Sequence, residues 1–213
     1  MAYRRTDNVV RRLAARHDAI IAAAGALAAE GGINAVQIGP VAQRAGVATG
    51  TVYRYFPSKT ELVAALVAVV SERELGAMRR AADAAPGPLS ALAAAITTFA
   101  ARALAHPKLA FALIADAADA DKTRLAFRQA LAAELGHRLT IAMNGGHLPD
   151  QDAGIAAPAL LGAVMEGLIG PLAVPADPSA MRETVQAIAL FALRAVGVAD
   201  ARARGLVVQA RMP

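Results

Sequence analysis

Residues 37–62 read QIGPVAQRAGVATGTVYRYFPSKTEL, and this run limits the fold more than any other part of the chain. Pro40 fits the first turn of a short helix, where its missing N–H is not needed. Val41, Ala42 and Ala45 give that helix an apolar inner side, and Gly46 permits a left-handed residue just past its end. Val47 packs beneath the turn. A second short helix follows over 49–55, with Val52 and Phe56 turned inward and Thr51 and Tyr53 along the exposed edge. Thr49 either caps this helix or meets a partner, and Gly50 lets the backbone approach a groove floor. Tyr55 reaches toward the flanking backbone of such a partner. Pro57 and Ser58 open a third helix, with Ser58 as its N-cap and Lys59 at a positive helix end suited to a phosphate. Two short helices joined by a glycine turn form a helix-turn-helix. The bland alternative is a helical hairpin in a core with tyrosines as packing. Against it, Tyr53, Arg54 and Tyr55 are consecutive, so a helix must expose at least one of them.

Charge points the same way. The net charge is +5 over 213 residues. Residues 1–60 hold eight basic residues (Arg4, Arg5, Arg11, Arg12, Arg16, Arg44, Arg54, Lys59) and three acids (Asp7, Asp18, Glu30), whereas the remainder holds fourteen of each. All of the positive excess therefore lies with the helix-turn-helix, as expected for a polyanion binder. A solvated basic face is the alternative. The chain is 56% hydrophobic but only 4% aromatic, its apolar content being mostly Ala, Leu and Val. Alanine is the best helix former, so an all-helical fold is expected. With no cysteine there is neither a disulfide framework nor a thiolate metal site, which fits a reducing cytoplasm.

Prolines and glycines divide the chain into about nine helical segments, near 9–30, 39–45, 49–55, 58–82, 89–105, a short one to 117, 120–143, 151–172 and 178–197, with 201–213 as a tail. Pro171, Pro175 and Pro178 separate the last two segments. No stretch alternates like a strand. The first helix is expected to turn Leu13, Ile20, Ala24 and Leu27 inward. Its basic start and apolar Ala19–Ala29 imitate a signal peptide, but Asp18 and Glu30-Gly31-Gly32 fit an amphipathic helix instead. The uncharged run Ala84–Ala101 contains Pro86, Gly87 and Pro88, and its helical remainder is too short for a membrane span. The expected domains are 1–57 and 58–200, with the 58–82 helix running from one into the other.

Residues 12–62 resemble the DNA-binding domain of the TetR family of bacterial transcriptional regulators. The resemblance rests on Val41-Ala42, Gln43-Arg44, Ala45-Gly46-Val47, Tyr53-Arg54-Tyr55-Phe56 and Lys59. It covers about a quarter of the chain. It implies an N-terminal three-helix DNA-binding domain and a larger helical ligand-binding and dimerisation domain, in a cytoplasmic homodimer bound to a palindromic operator. It further implies that Thr49, Gly50, Thr51 and Tyr53 face bases while Tyr55 and Lys59 hold phosphates, with Arg44 also at the interface. Ala48 departs from the frequent serine or threonine at the recognition-helix cap. Gly39 and Pro40 stand where many members have polar or charged residues, so base contact from the first helix falls to Gln37. Without an arginine–guanine pair, worth ~1–3 kcal/mol, recognition leans on methyl contacts and DNA shape. Arg4 and Arg5 either reach a minor groove or belong to a solvated tail.

The same resemblance implies that the last two helices pair with their mates in a four-helix interface. The expected faces are Ala157, Leu160, Leu161, Val164 and Leu168, and Val185, Ile188, Ala189, Ala192 and Leu193; burial within one chain is the alternative. Candidates to line an effector pocket are Phe99, Arg102, Phe111, Phe127, His137, Met143, Met165 and Glu166. Their surroundings suit a hydrophobic or weakly polar small molecule. No cofactor is expected. His17, His106, His137 and His147 lack metal-ligand spacing, no G-x-S-x-G or phosphate-binding glycine loop occurs, and Asp116, Asp119 and Asp121 sit in an interhelical connection. Enzymatic activity is therefore not expected. The alternatives are an effector-independent structural DNA-binding protein, or a ligand-binding protein whose DNA-binding half is vestigial.

Overall fold

The computed structural model describes residues 2–114, 122–169, 173, 177 and 180–210, with side chains at all of these except 2–8 and 112–114. Among them every regular element is helical. The chain divides into two compact units, Met1–Val70 and Ser71–Pro213. The sequence places a domain change at 57/58 instead, where the third helix of the motif begins. That helix runs on past both positions.

The first unit holds α1 (Ala2–Gly31), a 3-10 turn (Ile33–Ala35), α2 (Ile38–Arg44), α3 (Thr49–Tyr55) and the first part of α4 (Lys59–Asp83). Its core is Ile20, Ala24, Ala28, Val36, Val41, Val52, Leu62, Leu66 and Val67, all essentially without exposure. Each buried Val, Ile or Leu contributes about 1.5–3 kcal/mol relative to an exposed one. Gly25 brings α1 close to α4: a Cβ there would sit 3.5 Å from Leu66 Cδ1. Two expectations for α1 need correction. It begins at residue 2 rather than near 9. Leu13, expected inside, is 44% exposed, because α1 extends beyond the neighbours that cover Ile20 and Ala24.

The second unit is built around α5 (Pro88–Ala105), which packs against α6 (Pro107–Ile114), α7 (Lys122–Asn144), α8 (Ala153–Ile169), α9 (Met181–Ala195) and α10 (Asp200–Gln209). Ser90 fixes its start: the Gly87 N–H donates to Ser90 Oγ at 3.0 Å, and Ser90 Oγ donates to the Gly87 carbonyl at 2.8 Å. At 18 residues α5 is long and apolar enough to cross a membrane, contrary to the expectation that its remainder is too short, but 72% of it is buried inside the unit. A central core helix needs apolar residues all round, and that accounts for its composition. Small residues set the packing of α7 on α8, where a Cβ on Gly136 would meet Ala157 Cβ at 3.5 Å. Ten α-helices are present among the described residues. The tenth, α10, occupies most of what reads as a tail, with Ala203, Leu206 and Val207 buried. Asp116, Asp119, Asp121, Pro171, Pro175, Pro178 and the end of the expected 120–143 helix before 122 lie outside the described residues.

Three ionic contacts fasten the second-unit part of α4 to α5 and α7. Arg102 of α5 makes a two-pronged bond to Glu74, one arm being Nη2 to Oε1 at 2.8 Å and the other Nε to Oε2. Glu134 of α7 accepts from Arg79 Nε at 2.9 Å and from Arg138 Nε at 2.7 Å. Arg138 also donates to Asp83 Oδ1 at 2.7 Å. Burial raises the Glu134 carboxyl, but hydrogen bonds from Arg79 and Arg138 and their charges outweigh it and hold the group below its ordinary range. Glu134 is only 6% exposed. Glu134→Gln is expected to destabilise the protein by about 2–3 kcal/mol at pH 7, less than for a fully buried pair because Arg79 is half exposed. The carboxyl is depressed in the folded state, so its contribution is complete above the ordinary Glu value near pH ~4.3 and fades as pH falls toward the folded value. In urea melts the difference between the two proteins should begin to shrink as pH falls below about 4.3 and vanish only below the folded value.

Candidate nucleic-acid interface

The geometry of the first unit begins at the turn between α2 and α3. Gly46 has φ +64°, the left-handed conformation expected of it. Around it the Val47 N–H donates to the Ala42 carbonyl at 3.0 Å and the Gly46 N–H to the Gln43 carbonyl at 3.2 Å. These are the two bonds of a Schellman ending, so the carbonyls left open at the end of α2 are satisfied within the turn. Ala48 then occupies the N-cap of α3 in extended conformation, with no side-chain bond. The missing serine or threonine therefore leaves the first α3 amides without an intramolecular side-chain cap.

Helix α3 is anchored by one face. Val52 is fully buried and Phe56, its C-cap, is 5% exposed. The opposite face is open. Thr49, Gly50 and Arg54 are exposed, Tyr53 is 51% exposed, and Thr51 is half-buried at the margin. Ser58 caps α4 as expected: the Glu61 N–H donates to Ser58 Oγ at 3.1 Å, and Ser58 Oγ donates back to Glu61 Oε1 at 3.4 Å. This sets half-buried Lys59 as the first residue of α4, a cation at a helix N-terminus.

The other expected contacts are placed differently. Gln37 is exposed at the N-cap of α2, with Nε2 donating to the Asn34 carbonyl at 3.0 Å. Arg44 is bound to Glu30 at 2.7 Å, an exposed pair in which the hydrogen bond from Arg44 holds the carboxyl below its ordinary range. Tyr55 is half-buried and its hydroxyl lies covered without a hydrogen-bond partner, the ring standing 6.4 Å from His17. The expectation that Tyr55 reaches a phosphate thus meets a hydroxyl covered by the protein itself. The residue type alone could not show this, because a tyrosine flanking Phe56 serves either as contact or as packing. His17, unremarked by spacing, closes the cluster with its ring 5.2 Å from Phe56.

Comparison with known proteins bears on this unit first. Residues 20–66 match the model of the bacterial regulatory proteins of the tetR family. That match lies wholly within the first unit. The chain is 52% identical over 58 residues to the HTH-type transcriptional repressor KstR of Rhodococcus jostii, covering 27% of each chain. The chain is 44% identical over 77 residues to the KstR of Mycolicibacterium smegmatis, covering 36% of this chain and 38% of that one. The chain thus matches a minor part of these relatives' length. The TetR-type fold extends further. The structure of RolR with resorcinol superimposes with a TM-score of 0.69 and 21% identity over 96% of this chain and 98% of that one. FadR from Bacillus subtilis with stearoyl-CoA gives 0.67 and 20% over 84% and 97%.

In the second unit, the effector-pocket candidates separate by exposure. Phe99, Phe127 and Met165 are buried, and Met143 is half-buried. Phe111 is 49% exposed, and His137 and Glu166 also lie on the surface. An interior pocket is not lined by side chains on the outside, so these three are set aside. Arg102 is committed to Glu74. A second correction concerns the expected dimer faces. Ala157, Leu160, Leu161, Val164, Leu168, Val185, Ala189, Ala192 and Leu193 are buried within the single chain, and Ile188 is half-buried. The exposed apolar stripe runs on the other sides: Ile155 (70%), Ala159 and Ala163 on α8, Ala187 and Phe191 (57%) on α9.

Tyr55→Phe discriminates contact from packing. A phenol that touches phosphate loses affinity when its hydroxyl goes. With the hydroxyl covered and unpartnered, its removal is expected to leave DNA affinity within about twofold and stability unchanged or raised, measured by fluorescence anisotropy and thermal melting.

Proposed function

We propose that the protein is a cytoplasmic, homodimeric transcriptional repressor whose operator affinity is changed by a hydrophobic small molecule in the second unit. The observation that carries this reading is the division of α3 into a buried side, Val52 and Phe56, and an open side, Thr49, Gly50, Tyr53 and Arg54. A seven-residue helix held by one face presents the other to a major groove. Thr49, Gly50, Thr51 and Tyr53 face bases, Gln37 adds a contact from α2, and Lys59 holds a phosphate. Arg44 contributes through its position beside the groove, oriented by Glu30, and Tyr55 supports the reading helix from behind.

Two copies pair through the exposed stripe of α8 and α9, with Phe191 and Ile155 as its large side chains. Pairing sets the recognition helices one turn, roughly 34–36 Å, apart, and the operator is palindromic to match. The TetR-fold structures with resorcinol and with stearoyl-CoA suggest the range of effector: from a small phenol to a long acyl chain. Buried Phe99, Phe127 and Met165 fit the apolar end of either. An effector with different affinities for the two spacings shifts their populations and with them the DNA affinity. No enzymatic step is assigned to the chain.

Selection of binding sites from a random duplex library is expected to return a palindrome with half-sites 10–10.5 base pairs apart. Tyr53→Ala and Lys59→Ala should each weaken binding to that selected duplex by about tenfold or more, with dimerisation intact. Affinity no greater than for random DNA would favour an effector-independent structural binder. Phe191→Glu is expected to give monomers in sedimentation and to lose the palindrome while keeping the helical content of the wild type.

A further inference from the structure

Arg102 is the one charged residue of α5, whose remaining side chains are apolar, small or hydroxylic. It is partly open, at 29% exposure, and its fork is filled by Glu74 of α4, at 15%. Glu74 also accepts from exposed Arg73, Nε lying 3.2 Å from Oε1. One turn before Glu74, on the same side of α4, Ser71 is 9% exposed. Among the described residues its Oγ has no hydrogen-bond partner. A serine within a helix ordinarily faces solvent or bonds back to the carbonyl one turn earlier, and Ser71 does neither. A buried hydroxyl without a partner costs stability, and alanine at 71 would avoid that cost. Fastening α4 to α5 requires only Glu74 and Arg102. Ser71 calls for an acceptor that the chain itself does not supply.

The neighbours of that hydroxyl identify the acceptor. A guanidinium fork matches a carboxylate, and one carboxylate can take the place of another on it. If a ligand carboxylate displaces Glu74, Arg102 keeps its two-pronged bond and its charge balance. Glu74 falls back on Arg73, so neither charge is stranded. Ser71 gains the acceptor it lacks. Phe99, buried one turn before Arg102 on α5, supplies apolar surface beside the same position. We propose that Arg102 and Ser71 form a subsite for the carboxylate of an effector with an apolar body, and that Glu74 fills this subsite as an internal stand-in until the effector arrives. The inference rests on the reading of the second unit as an effector domain, and narrows its hydrophobic small molecule to an acid. A neutral molecule of the same shape is rejected, because it would leave Arg102 without a counter-charge.

The experiment titrates full-length wild type, Glu74→Gln and Ser71→Ala with octanoate and benzoate, and with octanol and benzyl alcohol as their neutral counterparts, by calorimetry. At least one acid is expected to bind wild type about tenfold or more tightly than its alcohol. Glu74→Gln removes the internal competitor, so affinity for that acid should rise by about tenfold or more although the variant melts lower. A pair that serves only to fasten helices gives the lower melting temperature without the gain in affinity. Ser71→Ala should melt at or above the wild-type temperature and bind the acid about tenfold more weakly. This variant keeps the test intact if Glu74→Gln fails to fold. Acid affinity unchanged or lowered in Glu74→Gln overturns the proposal. So does unchanged affinity in Ser71→Ala, equal binding of acid and alcohol, or binding of neither acid to any of the three proteins. Binding as expected with no effect on affinity for the selected palindrome upholds the subsite and contradicts the effector-controlled repressor. A palindrome response to the alcohols equal to that for the acids does the reverse.

Discussion

Helix α3 has seven residues, and a helix of that length does not hold itself in water. Its existence depends on Val52 and Phe56 being buried against the rest of the first unit. That dependence also fixes what it presents. With 3.6 residues per turn, committing 52 and 56 to the interior turns 50 and 54 outward and leaves 53 on the flank, while 49 is open because it begins the helix. The left-handed Gly46 sets the angle at which the chain enters α3, and the Ser58 cap on α4 sets where it leaves. Folding and presentation are therefore the same event, and weakening either end disturbs both.

The second unit meets a different constraint. An alanine-rich bundle has little aromatic volume with which to specify its packing, so helices lie close at small residues, as α7 and α8 do at Gly136 and Ala157. Where specificity is needed, charge supplies it. Glu74 and Glu134 are both largely shielded, and each is met by arginine from a neighbouring helix. Such pairs add little net stability over apolar packing, but a shifted register leaves a buried charge alone, which is strongly unfavourable. They select one arrangement of α4 against α5 and α7.

Much of this was legible from residue types. Gly46, Ser58, Val52, Phe56 and the exposure of Tyr53 follow from local rules, because caps, turns and the helical period act over a few residues. Other features depend on what lies opposite. Leu13 sits on the same stripe as Ile20, yet only a neighbour decides whether it is covered. Helices α8 and α9 are apolar on more than one side, so periodicity finds a face without saying whether it meets this chain or another. Helix α10 lies in what reads as a tail, and its Gly205 sits on an exposed side where a glycine is tolerated. The covered Tyr55 hydroxyl depends on the His17–Phe56 cluster, which joins residues far apart in sequence.

The central claim is that the open side of α3 lies against base pairs in two successive major grooves. Photocrosslinking from position 53 tests it directly, with benzoylphenylalanine in place of Tyr53 on duplex DNA carrying the selected site. The account predicts crosslinks to bases at two positions about 10–10.5 base pairs apart, one in each half-site. Crosslinks spread evenly along the duplex, or none from position 53 while the protein remains bound, would contradict it.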